Sequence, residues 1–190
     1  MRHRKPSFHG PTGTVSHGTL RSEDLLPAFL SECEDLRLTK SERNQVRSIS
    51  AAVAKAERQN ESLRATTQEK AERYWQEDAS EDCNTLQDIL SNHAAPFCYF
   101  GNTEGDGSDF GWWVSRECLE MGVYDGEVLL ESSNGSKDAY SCGRIRGAES
   151  AKEAMREVPA RNVRYRMVIN DHGNVTLYDR RNGREVWGIV

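Results

Sequence analysis

The sequence has no run of about 18 apolar residues, the length a helix needs to cross a bilayer, so no membrane span is expected. Its five cysteines (Cys33, Cys83, Cys98, Cys118, Cys142) are odd in number and include no C-x-x-C pair. That spacing excludes a zinc ribbon and a simple disulfide framework, and implies reduced thiols in a cytoplasm. There is no G-x-S-x-G and no phosphate-binding P-loop, so the common hydrolase and nucleotide-hydrolysing signatures are missing. Basic charge is also in short supply, with 25 Lys and Arg against 30 Asp and Glu. The two acidic middle blocks, residues 22–95 and 96–160, lack the basic face of a general nucleic-acid binder, so nucleic acid is not the expected partner. With 36% apolar residues and a mean hydropathy of −0.76, the chain has little to bury beyond one core, which implies a polar tail or an exposed helix.

What is present falls into three parts. Residues 1–18 are basic, rich in Pro, Gly and His, and without apolar periodicity or the apolar core of a signal peptide. They predict a flexible tail whose removal leaves the melting temperature almost unchanged. Residues 19–95 carry helical spacing. Leu25, Leu26, Phe29, Leu30, Cys33 and Leu36 share a face, with Glu23 and Asp24 at the favourable end and Pro27 within about the first turn. Thr39-Lys40-Ser41-Glu42 fits a capping box. Beyond it Val46, Ile49, Val53, Ala56, Asn60 and Leu63 form a thin stripe on a long polar helix. So narrow a seam needs a covering partner, either the first helix or a second copy of the chain, and the 46–63 helix is thus a candidate homo-oligomer contact. The pattern fades toward Tyr74 and Trp75, and a further helix is predicted over about 81–93.

From residue 96 the period becomes two, with strands predicted at 97–100, 110–115, 127–132, 139–145, 163–170, 174–179 and 184–190, and a short helix at about 148–157. Asp171-His172-Gly173-Asn174 and Arg181-Asn182-Gly183 are turn sequences, so the last strands form a three-stranded meander. The fold class is therefore a single α+β domain, its N-terminal helices (one of them long) packed on a mostly antiparallel sheet.

One stretch stands out. Tyr99–Trp113, "YFGNTEGDGSDFGWW", sets four glycines and three carboxylates between two aromatic clusters. Counted as a calcium loop from Asp106, it puts Ser108, Gly111 and Glu117 at ligand or turn positions, but Phe110 stands where an oxygen is required. A glycine-rich hairpin with solvated acids accounts for it better. If Phe110, Trp112 and Val114 face the core, Trp113 stands on the other face beside Glu104, Asp106 and Asp109. An aromatic anchor with a negative rim is a common protein-binding pattern. Arg164 and Arg166, two apart on one strand with Tyr178 nearby, form a second candidate patch for phosphate or an acidic partner; a solvated sheet face is the plainer reading. His93 is explained by its place at a helix C-terminus, and His172 by turn geometry.

Three segments, Ser16–Leu30, Tyr99–Trp113 and Val168–Val190, together resemble a group of small bacteriophage and mobile-element proteins of unknown function. That group carries H-G-T-x-R-x-x-D-L-I-P, F-G-x-x-x-G-D-G-x-D-F-G-x-W and N-D-H-G-N-V-T-L-Y patterns. Residues 40–80 and about 118–158 lie outside the likeness. The resemblance implies a phage accessory protein in the host cytoplasm rather than a metabolic enzyme. With no catalytic constellation and no cofactor motif, the expected role is binding a host or phage protein, as an inhibitor or modulator of a host enzyme or defence system. The alternative is a metal-dependent or nucleic-acid-handling protein in which Glu104, Asp106 and Asp109 hold a divalent ion.

Overall fold

The computed structural model describes residues 8–61, 65–125, 127–132, 163–170, 172 and 174–189. The strand expected at 139–145, the helix at 148–157 and the first seven residues of the tail lie outside them. The described elements form an α+β mix. The chain builds two hydrophobic clusters with no residue in common. It accordingly divides into two compact units, Met1–Ala94 with Tyr99–Trp113, and Ala95–Cys98 with Val114–Val190.

In the first unit, α1 (Ser22–Glu34) buries Leu25, Leu26, Phe29 and Cys33, as the spacing requires. Pro27 sits in the second turn, not the first, because the helix starts at Ser22. Its missing N–H therefore leaves the Glu23 carbonyl without its helical donor. The capping box at α2 (Lys40–Asn60) is complete: the Glu42 N–H donates to Thr39 Oγ1 (3.3 Å), and the Thr39 N–H donates to Glu42 Oε2 (2.7 Å). Ile49, Val53 and Ala56 on α2 are buried. Ile49 and Val53 join one core with Leu25, Leu26 and Phe29 of α1, and with residues that follow α3 (Ala65–Arg73) in the chain. After α3 the helix runs through a π-helical turn, Tyr74–Asp78, into α4 (Ala79–Asn92). A π turn inserts an extra residue and breaks the 3.6 period, which is why only the stretch after it was legible. Across the turn Tyr74 donates its hydroxyl to Asp82 (2.8 Å) and meets the Trp75 ring edge-on at 5.0 Å.

These helices share their core with a three-stranded antiparallel sheet, β1 (Gly13–Ser16), β3 (Asp106–Val114) and β2 (Cys98–Thr103), in that order. Phe29 meets Phe100 edge-on at 5.0 Å, and Phe100 meets Trp112 at 4.9 Å. β1 overturns the flexible tail for residues 8–18. Thr14 pairs with Gly111, and Gly13 with Trp112. The pairing depends on Gly111 having no side chain, since a Cβ there would lie 2.1 Å from the Gly13 carbonyl oxygen. Upstream, the His9 N–H donates to the His93 carbonyl (2.7 Å), and the His9 ring stacks on Trp112 at 4.3 Å. A tail without periodicity is held by ladder bonds, one ring stack and the single apolar contact of Val15, too little to leave an apolar pattern.

The second unit contains α5 (Arg116–Tyr124) and a four-stranded sheet ordered β4 (Val128–Ser132), β5 (Tyr165–Ile169), β6 (Val175–Asp179), β7 (Glu185–Ile189). The meander β5–β6–β7 is antiparallel as expected, while β4 joins β5 in parallel. Met167, Leu177 and Trp187 lie opposite one another across the meander and are buried. The Trp187 indole donates to the Pro96 carbonyl (2.8 Å). α5 escaped the period-two reading; its signals are Ser115, whose Oγ accepts the Cys118 N–H, and the buried pair Leu119 and Val123 at i, i+4.

Candidate functional site

The glycine-rich stretch folds as a hairpin: β2 ends at Thr103, β3 begins at Asp106, and Glu104-Gly105 make the turn. Gly105 adopts φ +97°, a conformation that side chains oppose. Behind the turn the Asn102 amide donates to the Gly107 carbonyl. The Tyr99 hydroxyl donates to Asn102 O at 3.0 Å. The tip is thus held by side-chain bonds from Asn102 and Tyr99 to its own backbone.

Of the three acids, Glu104 is exposed. Asp106 Oδ1 accepts from both the N–H (2.9 Å) and the hydroxyl (2.7 Å) of Ser108. Those two bonds hold its carboxyl below the ordinary range, so it stays charged. Asp109 does not join them in solvent. Its side chain is 16% exposed, and Oδ1 is shielded and accepts no hydrogen bond among the described residues. The His17 ring sets its Nδ1 3.7 Å from that oxygen. His17 belongs to the stretch that composition reads as a flexible tail, and the β1–β3 pairing, which sets Ser16 opposite Phe110, brings it here.

The three carboxylates do not converge. Among the described residues no group of three His, Cys, Asp or Glu side chains could hold a metal ion. Pleating and the Ser108 bonds give Asp106 and Asp109 different partners.

On β3 the faces separate as the alternation required. Phe110 and Trp112 are buried, and Trp112 donates its indole N–H to Glu32 Oε2 at 2.7 Å. Trp113, on the other face, is half-buried, with its indole N–H on the Gly101 carbonyl at 2.9 Å. A ring fixed at one edge and open at the other is suited to anchoring a partner.

The second candidate patch belongs to the other unit. Arg166 and Tyr178 stand opposite each other on β5 and β6, with the guanidinium 4.8 Å from the ring centre. Arg164 instead lies over Tyr165, at 4.9 Å. The sequence placed the two arginines on one face but gave no sign that each pairs with a different tyrosine. In the turn after β5, Asn170 does the organising: its Oδ1 accepts the N–H groups of His172 (3.0 Å) and Asn174 (2.9 Å).

No family model, curated protein or solved structure matches this chain.

Proposed function

We propose that this protein works by binding another protein, as a phage-encoded accessory factor that inhibits or redirects a host enzyme or defence component. The observation that carries the reading is the hairpin tip. Asp106 is held ionised and in place by Ser108, Glu104 stands beside it in solvent, and the half-open Trp113 ring is pinned by Gly101. Groups already ordered before contact lose little entropy on binding, so even a small patch of this kind can be specific. The partner surface it fits is basic around an apolar notch.

The test is affinity capture from host cells with wild type, Trp113→Ala and Asp106→Lys side by side, followed by mass spectrometry and by association kinetics on the captured protein. Trp113→Ala should lose the partner while melting within a few degrees of wild type. Asp106→Lys should slow association, with the slowing largest at low salt. If both variants capture the same proteins at wild-type rates, the hairpin is a connection between strands and the reading fails.

A further inference from the structure

Where α1 gives way to α2, the first unit leaves a pocket of about 620 Å³, within the range of roughly 300–1,000 Å³ typical of small-ligand sites. Its floor is aliphatic: Leu36 and Leu38, with Val46 and the Cys33 thiol beside them. Its rim carries Arg37, Arg43 and Arg47, all exposed, and one acid, Glu34. Three of the nine basic residues between positions 22 and 95 therefore meet at one pocket of an acidic chain.

None of the three has a carboxylate within ion-pair distance among the described residues. Arg43 and Arg47 are four apart on α2, where like charges repel, an arrangement that an anion between them would relieve. The start of α2 is not the seat for that anion, because Glu42 already closes it through the capping box. Recognition would fall to the guanidinium groups. A single carboxylate offers two oxygens, too few for three planar forks, whereas a phosphate offers three and is matched bidentately by arginine. Guanidinium planes also stack on flat rings, and the aliphatic floor takes apolar surface.

We propose that this pocket binds a small phosphorylated molecule with a flat or apolar body, of mononucleotide size. The site is separate from the hairpin and does not depend on its reading. It binds without reacting: burial pushes the Cys33 thiol up to about 12, so it stays protonated and is no nucleophile.

The experiment is calorimetric titration of the full chain with AMP, adenosine and inorganic phosphate in parallel. AMP should saturate one site and bind at least about tenfold tighter than either half of it, because phosphate and body each contribute. Arg43→Gln and Arg47→Gln should each weaken AMP about tenfold, the loss of one charge-assisted hydrogen bond, and Arg43→Lys should recover part of it. Amide shifts on the wild-type protein give a readout free of any folding defect, and AMP should move residues 36–47. No saturation by about 5 mM AMP, a Kd around which a ligand makes only weak contacts, would overturn the proposal. So would phosphate or adenosine binding as tightly as AMP, glutamine variants with wild-type affinity, or shifts confined to another region.

Discussion

His93, at the end of α4, sets its Nε2 3.1 Å from Glu42 Oε2, the same oxygen that closes the capping box of α2. One carboxylate thus ties the start of one helix to the end of another, and both side chains are largely shielded, at 11% and 16% exposed. Burial opposes ionisation of Glu42, but the bonds from the Thr39 N–H, His93 and the Thr39 hydroxyl outweigh it and hold the carboxyl below its ordinary range.

A pH dependence follows. A carboxyl whose folded value is depressed contributes stability that is complete above its unfolded value, about 4.3, and is lost as pH falls through the folded value. At pH 7, Glu42→Gln should cost about 1–2 kcal/mol, the scale of a cap and a charged hydrogen bond. The gap between wild type and variant should narrow as melts are repeated toward pH 3. A gap that stays constant across that range would show that the ionised form adds nothing.

Trp112 is fully buried, stacked on His9 and bonded to Glu32. Trp112→Ala should cost about 3–5 kcal/mol in urea unfolding. Trp112→Phe keeps most of the packing but strands Glu32 without its donor, and should cost about 1–3 kcal/mol. Equal losses in the two variants would mean that packing counts for little at this position.

Gly111 and Gly107 lie on the same strand but differ in surroundings. A Cβ on Gly111 meets the Gly13 backbone at 2.1 Å, whereas one on Gly107 meets nothing within 4 Å. Gly111→Ala should therefore separate β1 from β3 and cost about 2–4 kcal/mol, while Gly107→Ala should stay within about 0.5 kcal/mol of wild type. Urea midpoints for the pair decide it.

Deletion of residues 2–18 removes β1, the His9 stack and the His17–Asp109 contact together. The melting temperature should fall by about 5 °C or more, since about 1 kcal/mol shifts a chain of this size by 2–4 °C. An unchanged melt would restore the flexible tail that the composition suggested.

Local signals in the sequence already determined the helix faces of α1 and α2, the capping box at Thr39, the switch to period two, the meander and the buried row on β3. Each depends on near neighbours in the chain: a cap on a residue three positions on, a face on a period, a hairpin on its turn. Tertiary structure alone decided what covers α2, where β1 docks, that Asp109 turns toward His17, and that the chain makes two cores instead of one. The share of α2's cover that comes from α4 was hidden because a π turn shifts the helical phase just before α4. β1 was hidden because its partner is a glycine 97 positions away, and backbone ladder bonds leave no trace in side-chain pattern. The arginine pocket was hidden for a related reason. Arg43 and Arg47 share a helix face by spacing, but only the turn through residues 35–39 brings Arg37 over the same apolar floor.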